Sequence, residues 1–286
     1  VKEKGIERKA GMEKAAGFFL MLFIVAGTYA VIYGMLYVAG MIHPLLRFCL
    51  ETFFIYQILA TKSLKKESMK VYKKLKEGDL LGARKEVSYL VGRDTENLDE
   101  SEVAKADVET IAENTADGVI APMLFIALGG APLGFAYKAV NTLDSMVAYR
   151  NDELIHIGFF SAKMDDICNF VPARFAAVMM MLAAFFLRFD FKGAVRIFKR
   201  DRFAHLSPNS AQTEAVAAGA LQIQLGGTHN YFGKAVVKPT IGDAIRPVEY
   251  EDIKRTNQLL YVSAFLSMAV CTLITFLLYT QLFKFM

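Results

Sequence analysis

The sequence predicts an all-α integral membrane protein, a multi-helix bundle with four to five transmembrane or re-entrant segments and additional cytoplasmic helices. The chain of 286 residues is 54% hydrophobic, and its mean hydropathy is +0.32. The charges are segregated, so that residues 15–42 carry none over more than the roughly 20 residues that cross a bilayer. Alternating polar and apolar residues, which are typical of strands, are nearly absent.

Five apolar segments account for the predicted crossings. Segments 15–42 and 259–283 contain no charge and predict complete spans. Segments 44–60 and 171–187 contain two charges and one charge respectively, and we predict that they also span. Segment 118–137 is so rich in Gly and Pro that we expect a broken or re-entrant element. Its freed backbone groups then need other protein or a wet cavity as partners.

The predicted parts belong to one membrane-embedded domain. In chain order they are a helical hairpin (15–60), cytoplasmic helices (62–117), a membrane-embedded core with acidic motifs (118–187), a cytoplasmic loop region (188–258) and a C-terminal transmembrane helix (259–283). The hairpin turns at His43-Pro44. Within the loop region, the glycines at 226, 227 and 233 predict a flexible loop that covers a ligand.

Basic residues crowd the N-terminal arm, residues 62–85 and residues 188–202, and the net charge is +4. By the positive-inside rule, all three clusters face the cytoplasm. Topology and attraction to anionic lipid head groups are sufficient to explain them. No platform of interleaved aromatic and basic residues accompanies the clusters, so the expected partner is the lipid bilayer and no nucleic acid is expected.

Carboxylates recur at helical spacing beside these apolar segments. Glu109, Glu113 and Asp117 step by four and share one ridge of a helix, where like charges repel. A divalent cation or a basic side chain should compensate them, because ionised groups near hydrocarbon are costly. The alternative is a solvated helix face, but such a face needs neither the neighbouring Asn114 nor Gly118.

Two further sets place oxygen atoms on one helical face at spacings of three and four residues. These sets are Asn141, Asp144 and Ser145, and Asp165, Asp166 and Asn169. Each set alone is compatible with a capping or interhelical hydrogen-bond role. Because both flank apolar helices, we favour a site for Mg²⁺ and phosphate, since Mg²⁺ takes one or two carboxylates together with substrate phosphates and water.

Weaker signals lie on either side of these sets. Arg174 begins an apolar helix and is either an interfacial anchor or a phosphate clamp, for which its fork geometry is suited. The Arg93-Asp94-Thr95 turn precedes a helix and is a weak phosphate-binding signal. Asn209 and Glu214 mark a helix entry, for which a capping turn is the favoured reading.

The residues by themselves leave several functions open. Asp-rich helices with Mg²⁺ also occur in intramembrane prenyltransferases, which hold a diphosphate and need no ATP. A transporter would carry intramembrane carboxylates as well, but transporters usually contain inverted repeats, and the sequence shows none. The sequence contains no Walker motif, GxGxxG motif or Ser-His-Asp arrangement, so a bound nucleotide would need a non-standard site.

Ordered motifs over about residues 60–245 resemble one known family. The strings LVGRDTENLDE, ETIAENTADGV, YKAVNTLDSM, DDICNFVPAR and LQIQLGG occur in the order and spacing found in the adenosylcobinamide-phosphate synthases of cobalamin biosynthesis, the CbiB/CobD family. The resemblance implies a multi-pass enzyme of the cell membrane whose active site faces the cytoplasm. It also implies a ligase that joins adenosylcobyric acid, a corrinoid, to an aminoalcohol, typically aminopropanol O-phosphate. The bond is an amide, and the reaction consumes ATP with Mg²⁺.

The resemblance also implies site residues at the matching positions. Catalytic roles fall to Glu113, Asp117, Asp144 and Asp165. Magnesium ligands would be Asp144, Asp165 and Asp166. Residues that bind ATP or substrate would be Arg93, Asp94, Thr95, Asn114, Asn141, Thr142, Ser145, Asn169, Arg174, Asn209 and Glu214.

The sequence departs from the family pattern at a few places. After Asn209 the family tends to show Ala-Gly, whereas this chain has Ser210-Ala211, and Lys105 stands where Arg is common. An earlier apolar segment with an Asp and a Gly-Asp-Pro has no match here, which is the pattern expected of a trimmed N-terminus. These departures concern substrate fit rather than family.

A simple count of crossings conflicts with a cytoplasmic active site. If 118–137 and 171–187 both cross fully, residues 138–170 lie outside together with the acidic motifs, although ATP is cytoplasmic. We therefore expect at least one of the two segments to be re-entrant or deeply buried without crossing. Labelling of a cysteine placed near Asn151 would decide between the two arrangements.

Overall fold

A computed structural model describes residues 2–147, 156–231 and 233–284, and within these it confirms the all-α class. The first five helices are α1 (Lys2–Ile42), α2 (Pro44–Ile58), α3 (Thr61–Lys76), α4 (Leu80–Ser88) and α5 (Glu100–Asn114). A π-helical turn (Thr115–Ile120) joins α5 to α6 (Ala121–Val147). The remaining elements are α7 (Phe159–Phe186), α8 (Phe191–Asp201), α9 (Ser210–Leu221), β1 (Leu225–Tyr231), β2 (Lys234–Ile241) and α10 (Glu251–Lys284).

Four of these helical stretches are long and apolar enough to cross a membrane, which makes the chain a multi-pass membrane protein. They are Ala10–Ile42, Glu100–Val147, Phe159–Phe186 and Glu251–Leu278. The predicted span at 44–60 is not among them, because α2 has only 15 residues. At 1.5 Å per residue such a helix is shorter than the roughly 30 Å of hydrocarbon that a span must cross.

The described residues divide into two compact units. Unit 1 draws on residues 1–59, 122–169 and 271–286, and unit 2 on residues 60–121 and 170–270. The predicted helical hairpin lies in unit 1, where α1 packs against α2. His43 forms the turn, since its Nδ1 accepts a hydrogen bond of 3.1 Å from the Leu45 amide, and Pro44 occupies the first turn of α2, where it costs no hydrogen bond.

The apolar core of the hairpin consists of buried side chains that face each other across α1 and α2. Ile32 and Leu36 of α1 pack with Phe54 of α2 and with Ala131 of α6. These positions repeat at helical spacing on each helix, so one stripe of each helix is removed from solvent. In contrast, side chains such as Phe19 and Phe23 remain exposed, as a lipid-facing surface requires.

The Gly- and Pro-rich segment is broken, as the sequence predicted. Within α6, Gly129 and Gly130 leave the helical conformation, with φ of −150° and +66°. Only glycine adopts the second value without strain, and a Cβ at position 130 would lie 2.7 Å from a carboxylate oxygen of Glu51. Pro132 follows the break in the first turn of the resumed helix, a position that needs no amide hydrogen.

Unit 2 surrounds α5, which carries much of the acidic motif. Asp99 and Glu102 form a capping box at the start of α5, and its apolar residues are buried between α3, α4 and α9. The π-helical turn follows, where the carbonyl of Gly118 accepts a hydrogen bond of 3.1 Å from the amide of Ala60. A Cβ at Gly118 would lie 3.4 Å from that of Ala60, which is an ordinary van der Waals contact.

The prediction of a flexible loop around residues 226–233 was wrong. Strands β1 and β2 pair there as an antiparallel hairpin with an irregular register between Gly226 and Thr228. Gly226 has a φ of +73°, and a Cβ there would lie 2.3 Å from the carbonyl oxygen of Pro239. The glycines that suggested a loop therefore serve an irregular strand. Phe232 lies outside the described residues, as does Asn151, the site chosen for labelling.

Candidate functional site

Unit 2 contains a polar cavity of about 170 Å³ between α5, the start of α9 and the β-hairpin. Its walls combine acidic and basic side chains that are far apart in sequence. The acidic, basic and histidine side chains of the lining are Arg93, Glu109, Glu113, His205, Glu214, His229 and Lys238. Such convergence of titratable groups on a concave surface is the usual mark of a binding or active site.

A buried ion pair forms one wall. The guanidinium of Arg93 pairs with Oε2 of Glu109, and the two side chains are only 8% and 9% exposed. The other carboxylate oxygen, Oε1, accepts a hydrogen bond of 2.7 Å from the amide of Gly226. Glu109 is thus fully engaged by a cation and a backbone donor, which a buried carboxylate requires in order to stay ionised.

The hairpin is attached to this wall by several further contacts. Nη1 of Arg93 lies 3.0 Å from Nδ1 of His229, and Lys105 donates to the carbonyl of Gly226. Burial, reinforced by the neighbouring Arg93, lowers the pKa of His229 to about 4, so the imidazole is neutral at physiological pH. A neutral ring can therefore lie against the guanidinium without charge repulsion.

Asp94 ties the turn before α5 to the tip of the hairpin. Its amide donates a hydrogen bond of 2.8 Å to the carbonyl of Asn230, and its Oδ2 accepts one of 2.8 Å from the amide of Gly233. The neighbouring Thr95 is buried. Asp94 and Thr95 were predicted to bind a ligand, and the described contacts of Asp94 hold the backbone of the hairpin.

A second wall carries Glu113. Its Oε1 accepts a hydrogen bond of 2.7 Å from Oγ of Ser210, the first residue of α9. One turn of α5 separates Glu113 from Glu109, so both carboxylates line the same cavity. Asn114 also lines the cavity, and its Nδ2 donates to the carbonyl of Thr110 at 2.9 Å.

Glu214 of α9 is the most enclosed acid of the cavity. Its residue surface is 5% exposed, and among the described residues no hydrogen bond to its carboxyl group is found. Burial, with the nearby charges of Glu113 and Glu109, raises the pKa of Glu214 well above its usual value. This enclosed setting disfavours the ionised form of Glu214 until a cation enters the cavity.

His205 lines the cavity in its neutral form. Its Nδ1 accepts a hydrogen bond of 3.0 Å from the amide of Ser207, which places the proton of the neutral ring on Nε2. Burial lowers the pKa of His205, although the charge of Glu113 opposes this effect. His205 can thus offer one N–H donor to a ligand in the cavity.

Lys238 is a basic residue of the cavity that takes no part in the ion pair between Arg93 and Glu109. It projects from β2 into the lining of the cavity, and its Nζ lies 5.3 Å from the ring centroid of Tyr231. Within the described part of the chain, no carboxylate lies within ion-pair distance of Lys238. The cavity therefore presents an unmatched ammonium group besides its acidic wall.

The second predicted motif forms a hydrogen-bonded cluster in unit 1. Oδ2 of Asp165 accepts a hydrogen bond of 3.0 Å from Asn169, and Oδ1 lies 3.5 Å from Nδ2 of Asn141. Asn169 is fully buried and accepts a hydrogen bond of 2.7 Å from the hydroxyl of Tyr137. The structure thus brings Asp165 and Asn169 together, as their spacing predicted, and adds Asn141 from the neighbouring helix.

The other members of this motif lie around the cluster. Asp166 pairs with Lys163 at 3.7 Å, Asp144 is half-buried, and Ser145 donates to the carbonyl of Asn141. Thr142 is exposed. In residues 2–147, 156–231 and 233–284, no group of three or more His, Cys, Asp or Glu side chains is arranged to hold a metal. The assignment of Asp144, Asp165 and Asp166 as Mg²⁺ ligands therefore stays a prediction.

Arg174 and Asn209 meet in unit 2. Nη1 of Arg174 donates to Oδ1 of Asn209 at 3.3 Å, and the guanidinium stacks 3.6 Å from the ring centroid of Phe170. Asn209 occupies the N-cap position of α9, but its side chain makes no capping hydrogen bond. The turn at residues 207–210 does lead into a helix, as the sequence predicted, but the side chain of Asn209 binds an arginine and does not cap the helix.

Sequence reasoning found some of the cavity and missed the rest. Of the predicted residues, Arg93, Glu113, Asn114 and Glu214 line it, whereas Asp117, in the π-helical turn, is not among its described lining residues. His205, His229, Tyr231 and Lys238 were not predicted. His229 and Lys238 lie in the segment that the sequence analysis interpreted as a loop, so no local pattern marked them.

Comparison with known proteins places these residues in a wider context. Residues 2–260 match the family model described as CobD/Cbib protein. The chain is 52% identical to cobalamin biosynthesis protein CobD of Clostridium perfringens over 91% of this chain and 83% of that protein. It is 49% identical to CobD of Streptococcus sanguinis over 93% and 84%, and 46% identical to CbiB of Salmonella choleraesuis over 90% and 81%. No solved structure is significantly similar.

Proposed function

The chain belongs to the CobD/CbiB protein family, and on this premise we propose that it is an ATP- and Mg²⁺-dependent amide ligase. It joins adenosylcobyric acid to an aminoalcohol, typically aminopropanol O-phosphate, and yields adenosylcobinamide phosphate. The relatives' names support a role in cobalamin biosynthesis. The amide-ligase reaction goes beyond these names, and it is proposed on the basis of the residues in the unit 2 cavity and in the Asp165 cluster.

One observation carries the proposal. Arg93, Glu113, Asn114 and Glu214, which come from separate motifs of the family resemblance, line a single cavity. A role in folding alone would not require two acids and an unmatched lysine around an open space, because buried charges are costly without partners. This arrangement supports a site at which a small charged substrate is bound and deprotonated.

The chemistry needs activation of the acid and a neutral amine. A carboxylate is a poor acyl donor, so its oxygen would first take the γ-phosphoryl group of ATP, releasing ADP. The amine nitrogen would then attack the acyl carbon and expel inorganic phosphate. Because an ammonium ion has no lone pair, a base must remove its proton, and Glu113, which lines the cavity, would be that base.

The Asp165 cluster supplies oxygen donors of the kind that Mg²⁺ prefers. Asp165, with the amide groups of Asn141 and Asn169, offers one carboxylate and few other ligands. This donor set suits an ion that arrives with the phosphates of ATP better than an ion held in an all-protein cage. When bound, Mg²⁺ would neutralise charge on the phosphates. Asp144 and Asp166 would complete the acidic surroundings.

The proposed enzyme acts at the cytoplasmic side of the cell membrane, because ATP is cytoplasmic. The four candidate spans support a membrane location. The break at Gly129 and Gly130 supports an irregular element in the region where the simple count of crossings conflicts with a cytoplasmic site.

A coupled assay tests the proposal directly. The full chain, purified in detergent, is incubated with adenosylcobyric acid, aminopropanol phosphate, ATP and Mg²⁺, and ADP release and corrinoid mass are followed together. We expect the corrinoid mass to increase by one aminoalcohol phosphate less one water, only when every component is present. Turnover of an isoprenyl diphosphate without ATP, and no amide formation, would instead favour the prenyltransferase alternative.

A further inference from the structure

The charges of the unit 2 cavity are arranged in two opposed groups. On the α5 and α9 side lie Glu113, held by Ser210, and Glu214. On the hairpin side lies Lys238, over the ring of Tyr231. Arg93 and Glu109 neutralise each other and contribute no net charge to either group. A ligand that matched the cavity would therefore carry a positive end and a negative end.

Glu214 indicates where the positive end would lie. Its side chain is enclosed, lines the cavity and, in the part of the chain that the structure describes, has no hydrogen-bond partner. Buried polar groups are nearly always paired, so one that faces a cavity without a partner points to a ligand. Glu113 is a second acid that lines the same cavity. One ammonium group would compensate both acids, so an ammonium group is the complementary ligand.

Lys238 indicates where the negative end would lie. The ammonium of Lys238 lacks an ion-pair partner among the described side chains and carries three N–H donors. Lysine is a frequent phosphate ligand. These donors suit a phosphate monoester better than a carboxylate, because a phosphate offers three acceptor oxygens.

The size of the cavity restricts the ligand further. Its volume of about 170 Å³ lies below the roughly 300–1,000 Å³ typical of sites for drug-sized ligands. An engineered apolar cavity of about 150 Å³ holds benzene. ATP and a corrinoid are much larger than this space, whereas a short-chain amine with one phosphate is of the appropriate size.

From this geometry we infer that the unit 2 cavity is the binding site for the amine substrate, a small zwitterion whose ammonium group binds Glu113 and Glu214 and whose phosphate binds Lys238. The inference rests on the proposed function for the identity of the substrate. It goes beyond the proposed function because it assigns the amine substrate to the unit 2 cavity. It also favours this substrate over ATP and the corrinoid ring as the occupant of that space.

Binding without turnover tests the assignment. The full chain in detergent is titrated calorimetrically, without ATP or corrinoid, with aminopropanol phosphate, with isopropyl phosphate as the anion alone and with aminopropanol as the cation alone. We expect the zwitterion to bind about tenfold or more tightly than either singly charged probe, since each lacks one charged hydrogen-bonding group. Equal affinity for the zwitterion and isopropyl phosphate would overturn the assignment of the acids.

Two variants separate the two ends of the ligand. Glu214→Gln, which keeps the shape of the side chain, should weaken zwitterion binding about tenfold and leave isopropyl phosphate unchanged. Lys238→Met should weaken both phosphates. Matched controls are Glu100→Gln in the first turn of α5 and Lys234→Met in β2, both exposed and outside the cavity. An equal loss in the control variants would contradict the site.

The outcomes distinguish this inference from the proposed function. Amide formation by the wild type with no zwitterion binding in calorimetry, or with binding that neither variant changes, would overturn the cavity assignment and leave the ligase intact. Zwitterion binding that responds to both variants, without amide formation in the coupled assay, would support the cavity and refute the ligase. A circular dichroism spectrum of each variant confirms that the protein is folded.

Discussion

Oγ of Ser210 donates a hydrogen bond of 2.7 Å to Oε1 of Glu113, across 97 residues of sequence. Ser210 is a position at which this chain departs from the family pattern, where Ala is common. The hydroxyl orients the carboxylate that we propose as the base. The departure therefore lies beside the reactive group rather than at a neutral surface position.

Replacement of Ser210 by Ala should reduce, but not abolish, amide formation. Loss of one neutral-to-charged hydrogen bond costs about 1.5–3 kcal/mol at most, and less where water replaces the donor. We expect kcat/KM for the aminoalcohol to fall by roughly tenfold. Ser88→Ala on the exposed face of α4, where the hydroxyl binds only the Lys85 carbonyl, is the control and should leave kcat/KM unchanged. An unaltered Ser210→Ala enzyme would show that the contact has no catalytic effect.

Removal of Arg93 should destabilise unit 2 strongly. Arg93→Ala leaves the buried carboxylate of Glu109 without its cation, which costs about 3–5 kcal/mol in comparable cases. The double variant with Glu109→Ala should lose less stability than the sum of the two single variants. Unfolding in detergent measures all three. Lys70→Ala, which breaks an exposed pair with Glu67, is the control and should cost far less, because solvent screens an exposed ion pair. Additive losses would refute the coupling.

Glu214 should make stability depend on pH. Because its pKa is raised in the folded state, the folded protein retains a proton that the unfolded chain loses above about pH 4.5. The stabilising effect of this proton is complete below pH 4.5 and is lost as pH rises towards the folded pKa. Glu214→Gln keeps a neutral group at every pH, so the free energy of unfolding of the variant minus that of wild type should grow from pH 4.5 upwards. Melting temperatures measured from pH 4 to 8 test this, and a constant difference would contradict it.

The Asp165 cluster should control the requirement for Mg²⁺. We expect Asp165→Asn and Asp144→Asn each to abolish cobinamide phosphate formation while the protein remains folded in detergent, and EDTA to abolish it in the wild type. Tyr137→Phe removes only the hydroxyl that binds Asn169, and it should cause a much smaller loss with an unchanged Mg²⁺ dependence. Full activity in both aspartate variants would refute the metal assignment.

Topology can be read from chemical labelling. In a background without native cysteines, single cysteines are placed at Ser63 on the exposed side of α3 and at Asn151. If the acidic motifs face the cytoplasm, an impermeant thiol reagent should label both positions in inverted membrane vesicles and neither in intact cells. Labelling of position 151 from outside would mean that segment 118–137 crosses the membrane completely.

The helical architecture was readable from the sequence because its signals are local. Charge-free segments and capping residues such as Asp99 act within a few residues, and the structure has helices at these places. The hairpin of β1 and β2 was not readable, because its strands are held by contacts with α5 that no local pattern records. Gly226 was interpreted as a sign of a flexible loop. In the structure it instead allows the backbone of β1 to lie close to the carbonyl oxygen of Pro239.

The site divides in the same way. Spacing predicted that Asp165 and Asn169 share one helical face, because a helix brings such positions together regardless of the rest of the fold, whereas the approach of Asn141 from α6 depends on how the helices pack. The cavity joins side chains more than 100 residues apart, and only resemblance to a family could select Arg93 and Glu214. Neither helical spacing nor family resemblance indicated Lys238 or His229. Both residues line the cavity because β1 and β2 pair as a hairpin beside it.

The hydrogen bond from the Gly226 amide to Glu109 has a consequence for the biosynthesis of the protein. The amide that completes the environment of this carboxylate lies 117 residues further along the chain, and the carbonyl that binds Lys105 lies 121 residues further. A nascent chain released from the ribosome as far as α8 would contain Glu109 and Glu113 of α5 and none of the hairpin. The cavity therefore closes late in translation, because contacts of such long sequence separation form only after the intervening chain is available. Until then, water must take the place of the Gly226 amide at the carboxylate of Glu109.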